Sequence, residues 1–168
     1  MSYQQHHANA RAIVARCAVI TLSDTRTRET DKSGQTINTL LTDAGHTVSR
    51  YEILKDDASV LLPLVQQAID GDAIDVILTT GGTGIAKRDV TVTAIENLID
   101  RPLPGFGELF RMLSWQQIGS GAMMSRAVGG IARGKIIFAM PGSIAAVELA
   151  MTKLILPELP HLLSELRR

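Results

Sequence analysis

Val76-Ile77-Leu78-Thr79-Thr80-Gly81-Gly82-Thr83-Gly84 is the stretch that decides the architecture. Its first three residues form an uninterrupted aliphatic run, which suits a strand buried on both faces of a sheet. The run then empties into small and hydroxylated residues. In open α/β sheets, ligands bind outside the carboxyl ends of the strands, so a glycine-rich strand exit is where chemistry belongs. Two other runs repeat the pattern: Cys17–Leu22 leads into Ser23-Asp24, and Ile136–Met140 leads into Pro141-Gly142-Ser143.

Between these runs the apolar period changes to that of a helix. Ile37, Leu40, Leu41 and Ala44 recur at i, i+3, i+4, i+7, after a cap expected at Ser33 and before a stop at Gly45. Leu61, Leu64, Val65 and Ala68 repeat the pattern, with Gly71 closing that helix. Phe106, Leu109, Phe110 and Leu113 mark a third helix, Val147, Ala150, Met151 and Leu154 a fourth, and a further one is expected from near Thr91. Thr47–Ile53 reads as a more polar strand, closer to a sheet edge. Strands alternating with helices imply right-handed crossovers, hence an α/β fold with a mostly parallel sheet. Residues 1–15 are expected to form a flexible segment and residues 16–168 one domain.

Composition removes several classes of function. A chain of 168 residues fits a single domain, and 45% apolar against 20% charged residues excludes a disordered protein. Seventeen basic residues balance seventeen acidic ones, so neither nucleic acid nor an anionic membrane is an expected partner. One cysteine forms no internal disulfide, and four histidines beside it provide no zinc ligand cluster. No apolar run approaches the roughly 18–20 residues of a membrane helix, and Met1–Arg11 lacks the apolar stretch of a secretory signal. The expectation is a soluble, cytoplasmic protein.

The loop Gly81-Gly82-Thr83-Gly84 allows backbone N–H groups to approach an anion, and the helix that follows adds partial positive charge. It is not a P-loop, and Lys87 occupies the place of the third glycine in a dinucleotide fingerprint. The alternative is a tight turn that only requires positive φ. Replacing Gly82 by Val is expected to block the ligand while leaving the thermal midpoint within a few degrees. Asp89, within Lys87-Arg88-Asp89-Val90-Thr91, has two readings: a cap of the next helix, or a carboxylate that holds a divalent cation beside phosphates. Lys87 and Arg88 suit phosphate neutralisation or a solvated charge pair. Of Asp56 and Asp57, one is expected to cap the following helix and the other to be free for chemistry. Together these acids and the glycine loop point to metal-assisted phosphate chemistry.

Other residues take plainer readings. Cys17 belongs to a buried strand. His6 and His7 lie in the N-terminal segment, His46 in a turn and His161 near the C-terminus, with no ligand spacing between them. Arg126, after Ser125, is placed to reach an anionic ligand. Phe106, Phe110 and Leu113 share a core-facing stripe that leaves Met112 and Trp115 displaced from it. A contact of Met112 or Trp115 with a second chain is therefore expected, with Met123 and Met124 beside them.

The loop Thr79–Gly84 with Lys87–Thr91 resembles the signature of the molybdopterin-binding proteins of molybdenum cofactor biosynthesis, the MoaB/MogA family, to which the G domain of gephyrin is related. Leu22-Ser23-Asp24, Pro104-Gly105-Phe106-Gly107-Glu108, Ser125-Arg126 and Met140-Pro141-Gly142-Ser143 extend the resemblance, in family order, over nearly the whole chain after Arg16. Phe110-Arg111-Met112-Leu113-Ser114 and the compact ending look most like the MoaB branch. The resemblance implies a single-domain three-layer α/β/α sandwich and a molybdopterin adenylyltransferase, in which the terminal phosphate of molybdopterin attacks the α-phosphorus of Mg-ATP. By the same resemblance Asp56 and Asp89 are catalytic and hold Mg²⁺ through phosphates. Ser23, Asp24, Gly81, Gly82, Thr83, Gly84, Ser125, Arg126, Pro141, Gly142 and Ser143 are then the substrate-binding residues. A homotrimer or hexamer and contacts with other proteins of the pathway are implied as well. Two rivals stand beside this reading: a molybdopterin-binding or scaffolding protein without turnover, and a flavodoxin-like anion-binding module.

Overall fold

The computed structural model describes residues 12–86, 89 and 91–168. Strands β1 (Arg16–Leu22), β2 (Thr47–Leu54), β3 (Val76–Thr80), β4 (Arg101–Pro102), β5 (Val128–Ala132) and β6 (Lys135–Met140) form one sheet. Its order is β2-β1-β3-β6-β5-β4; the first four of these are parallel, β5 pairs antiparallel with β6, and the short edge strand β4 pairs antiparallel with β5. The helices are α1 (Lys32–Asp43), α2 (Ala58–Asp70), α3 (Thr91–Glu96), α4 (Pro104–Ile118), α5 (Ile144–Ala150) and α6 (Leu156–Leu166). A 3₁₀ segment, Gly119–Met124, follows α4, and a π-helical turn, Met151–Ile155, joins α5 to α6.

The period-two geometry of a strand produces the three layers. Cys17 and Val19 of β1, with Leu78 and Phe138, pack on Ile37 and Leu41 of α1, Phe106 and Phe110 of α4, and Val147 of α5. Ala18 and Ile20, with Ile77 and Ile137, pack against Leu61 and Val65 of α2 and Ile95 of α3 on the other face. Burial in this apolar setting pushes the Cys17 thiol up to about 12, so it packs as a small hydrophobe. No helix among the described residues is long and apolar enough to cross a membrane.

Several local expectations change. The cap of α1 is Asp31, whose carboxylate accepts the Gly34 N–H at 3.1 Å, while Ser33 lies inside the first turn. Leu109 is 47% exposed rather than on the core stripe of α4. Strand β5 is unexpected because Gly129 and Gly130 interrupt its apolar pattern. A Cβ at Gly129 would lie 2.7 Å from the Phe138 ring and one at Gly130 2.4 Å from Ile99, so both positions exchange a side chain for close packing. Of the expected flexible segment 1–15, residues 1–11, with His6 and His7, lie outside the described residues. Ala15 is buried; its N–H donates to Nδ1 of the buried His46 at 3.3 Å and its carbonyl accepts from Thr47.

At the amino ends of the strands, Asp75 accepts from the Arg16 N–H at 2.9 Å, from Arg16 Nε and Nη2 at 3.0 Å, and from Arg167 Nη2 at 3.2 Å. Burial opposes the Asp75 charge, but the hydrogen bonds and charge of Arg16, with Arg167 behind them, outweigh it and hold the carboxyl at about 2. A carboxyl depressed in the fold stabilises fully above its unfolded pKa, and that contribution is lost as pH falls through the folded value. Asp75→Asn is expected to cost ~2 kcal/mol at pH 7, with the deficit shrinking toward pH 2. Denaturant unfolding of both proteins across this range checks the linkage, and a deficit independent of pH would contradict it.

Candidate functional site

The carboxyl ends of β1, β3 and β6 lie side by side and their exits are locked together. The Gly81 N–H donates to the Met140 carbonyl at 3.1 Å, and the Thr80 hydroxyl donates to the Pro141 carbonyl at 3.1 Å. Gly81 (φ +96°) passes so close to β1 that a Cβ would lie 2.4 Å from the Leu22 carbonyl oxygen. Gly82 (φ +63°) meets an equally tight limit, since its Cβ would lie 2.6 Å from Thr91 Oγ1 and 2.7 Å from Asp56 Oδ1. Both conformations belong to the left-handed region that glycine adopts without cost.

The acids arrive from two directions. Asp57 caps α2 by accepting the Ser59 N–H at 2.8 Å, which leaves Asp56 turned toward α3, where its Oδ1 accepts the Thr91 hydroxyl at 2.6 Å. Asp89 folds back on the loop, its Oδ2 accepting the Ala86 N–H at 2.8 Å. The Asp89 carbonyl receives Arg126 Nη2, and Arg126 Nη1 reaches Thr93 Oγ1 at 3.5 Å. Lys87, Arg88 and Val90 lie outside the described residues.

Two cavities adjoin this loop. The first, of about 240 Å³, is lined by Leu22, Ser23, Asp24, Thr25, Asp56 and Asp89. The second, of about 250 Å³, is lined by apolar Phe110, Ile118, Ala122 and Met124 and by Thr83, Gly84, Ser114, Ser125, Pro141 and Ser143, among others. The expected residues thus divide into an acidic set and a set rich in hydroxyls. Gly81, Gly82 and Gly142 line neither cavity; Gly82 lies against Asp56, and Gly142 against Gly81, where a Cβ at Gly142 would fall 3.3 Å from the Gly81 Cα. Ser143 also caps α5 through the Ala146 N–H. Arg126 opens instead toward a separate cavity shared with Glu96, Glu108 and Arg111. A more apolar cavity of about 420 Å³, between the start of α4 and α6, contains none of the expected residues.

Sequence reasoning missed Thr91 as the partner of Asp56; a hydroxyl two residues beyond Asp89 was the available signal. Among the described residues, no three His, Cys, Asp or Glu side chains are grouped to hold a metal by themselves. Asp56 and Asp89 fit a cation that takes its remaining ligands from phosphate oxygens and water, as Mg²⁺ does.

Fold and site together define a doubly wound α/β protein with a glycine loop and paired carboxylates at the carboxyl edge of its sheet. The family described as "Probable molybdopterin binding domain" matches residues 18–161, and the chain belongs to it. Molybdenum cofactor biosynthesis protein B of Bacillus cereus is 54% identical over 100% of this chain and 99% of its own length. The Bacillus subtilis protein of the same name is 52% identical over the same shares. A crystal structure of a molybdenum cofactor biosynthesis protein B superposes with a TM-score of 0.90 at 55% identity, covering 93% of this chain and 98% of that one. The tungsten cofactor synthesizing protein MoaB of Pyrococcus furiosus gives 0.82 at 37% identity, covering 92% and 98%.

The close approach at Gly82 weighs against the expectation that Val there leaves the thermal midpoint within a few degrees. A methyl group there already displaces Asp56 from Thr91. Gly82→Ala is expected to lose ~1–3 kcal/mol by denaturant unfolding, and stability equal to that of the parent protein would show that the loop has room.

Proposed function

We propose that this chain acts in the cytoplasm in molybdenum cofactor biosynthesis, as a molybdopterin adenylyltransferase that uses Mg-ATP. The observation that carries the reading is the convergence of Asp56 and Asp89 on one cavity beside the Gly81–Gly84 loop. Nucleotidyl transfer demands positioning and charge neutralisation more than covalent help from the protein. With the Gly81 N–H committed to Met140, phosphate oxygens are received by the backbone N–H groups of Gly82–Gly84. Thr91 fixes the Asp56 carboxylate and the Ala86 N–H fixes that of Asp89, so both are oriented before substrate arrives. These two acids would hold Mg²⁺, which supplies charge neutralisation on the triphosphate. The second cavity, partly apolar and bearing the Ser114, Ser125 and Ser143 hydroxyls, suits a flat heterocycle with polar edges such as a pterin. A terminal phosphate oxygen of molybdopterin then bonds to the α-phosphorus of ATP, the bond to the β-phosphate oxygen breaks, and pyrophosphate leaves.

Self-association belongs to the same proposal. Met112 is 52% exposed, Trp115 61%, Ile118 64% and Met123 80%, so no segment among the described residues covers this apolar face of α4 and the 3₁₀ turn. A homotrimer or hexamer would bury it, each large side chain contributing ~1.5–3 kcal/mol. Contacts with other proteins of the pathway are further candidates for the same surface.

Asp56→Asn and Asp89→Asn are each expected to lower ATP-dependent pyrophosphate release by ~10²-fold or more. The double variant should lose less than the product of the single losses, because the two acids serve one cluster. Full activity in Asp89→Asn contradicts the assignment. Parent protein that binds molybdopterin without releasing pyrophosphate supports the binding or scaffolding reading instead.

A further inference from the structure

Asp31 is fully buried at the start of α1, and nothing in the reaction described above uses it. Its Oδ1 accepts the Gly34 N–H at 3.1 Å and Arg26 Nη1 at 3.3 Å, and its Oδ2 accepts the Tyr51 hydroxyl at 2.6 Å. Gly34 has to be glycine for this approach, since a Cβ would lie 2.2 Å from Asp31 Oδ2. Burial opposes the charge, but the hydroxyls of Thr21 and Tyr51, the Gly34 N–H and Arg26 prevail and hold the Asp31 carboxyl below its ordinary range.

The output of this cluster is directed at one atom. Arg26 Nη2 donates to the Gly142 carbonyl at 3.0 Å, Ser33 Oγ donates to the same oxygen at 2.6 Å, and Arg26 Nη1 donates to Ser33 Oγ at 3.1 Å. A carbonyl that takes two donors, one of them charged, is held more firmly than one in a free turn. Gly142 lies between Pro141 and Ser143, which line the cavity rich in hydroxyls. Arg26 in turn follows directly on Ser23, Asp24 and Thr25, which line the acidic cavity, and its own N–H donates to Ser23 Oγ at 3.2 Å. One residue therefore joins the walls of both cavities, by its guanidinium to the Gly142 carbonyl and by its backbone N–H to Ser23.

We propose that Arg26, fixed by Asp31 and seconded by Ser33, is a positioning residue that sets the Gly142 turn, and with it the ligand-binding wall Pro141–Ser143, relative to the Ser23–Thr25 wall. The proposal rests on the functional reading above for the identity of the ligand. It differs from simple fold support in what it couples. Loss of Arg26 moves a carbonyl 116 residues away in sequence and alters ligand affinity, while the core of the sheet stays intact.

The test compares the full-length protein with Arg26→Gln, Arg26→Lys and Ser33→Ala. The carbonyl ¹³C resonance of Gly142 reports the hydrogen bonds directly, molybdopterin titration reports affinity, and thermal unfolding reports the fold. In Arg26→Gln the Gly142 resonance is expected to shift upfield and molybdopterin affinity to fall at least tenfold, with a lowered midpoint but a transition that stays cooperative, because buried Asp31 loses its charged partner. Arg26→Lys should restore part of both, and Ser33→Ala should lie between. An unmoved Gly142 resonance in Arg26→Gln overturns the proposal, and so does a moved resonance with undiminished affinity. If the parent protein does not bind molybdopterin, the functional reading fails, and the positioning role then stands or falls on the Gly142 resonance alone.

Discussion

The contact between Gly81 and the Leu22 carbonyl governs the arrangement of everything around it. Strands β1, β3 and β6 are parallel and adjacent, so their chains leave the sheet at one level and compete for the same space. The exit of β3 passes only by omitting a side chain at Gly81 and turning through positive φ at Gly81 and Gly82. That turn brings the loop against Asp56 at the end of β2 and Thr91 at the start of α3, elements from opposite sides of β3 in the chain. The acidic cavity and the one rich in hydroxyls adjoin this crossing, one toward the β1 and β2 exits and the other toward the β6 exit.

Charge in this neutral chain is sorted by strand end. At the amino ends, Asp75 ties Arg16 to Arg167 and closes the C-terminal helix onto the sheet. At the carboxyl ends the charges do different work: Asp31 and Arg26 pair beneath the Gly142 turn, while Asp24, Asp56 and Asp89 face a cavity. A buried carboxylate with an arginine and two further hydrogen-bond donors, the Gly34 N–H and the Tyr51 hydroxyl, is costly to break, because removing one partner strands the other in a poorly solvating interior. Acids in a cavity remain available to a ligand. The division between holding and acting follows from burial rather than from residue type.

Much of this was legible in the sequence, for a physical reason. Strands buried on both faces, such as Val76–Thr80 and Ile136–Met140, have continuous apolar runs, and their polar exits mark the ligand edge without any knowledge of packing. Asp56, Asp89 and the loop glycines stood out because they occur together at such exits, although each alone also reads as a helix cap or a tight turn. What stayed hidden depends on long-range contact. Strand β5 carries glycines that read as a loop until Phe138 and Ile99 are placed over them. The stretch Thr25–Ser33 looks like solvated surface, with alternating charge and hydroxyls, and only the approach of Tyr51 and Gly142 buries Asp31. Met112 and Trp115 were separable from the core stripe of α4 by helical period alone, and both are exposed in the single chain.

The reading of the site stands or falls on whether phosphate binds at the Gly81–Gly84 loop between Asp56 and Asp89. A crystal structure with Mg²⁺ and a non-hydrolysable ATP analogue tests it most directly. Phosphate oxygens are expected on the backbone N–H groups of Gly82–Gly84, with a cation shared by phosphate and the two carboxylates. Triphosphate density elsewhere, with the acidic cavity filled only by water, would contradict it.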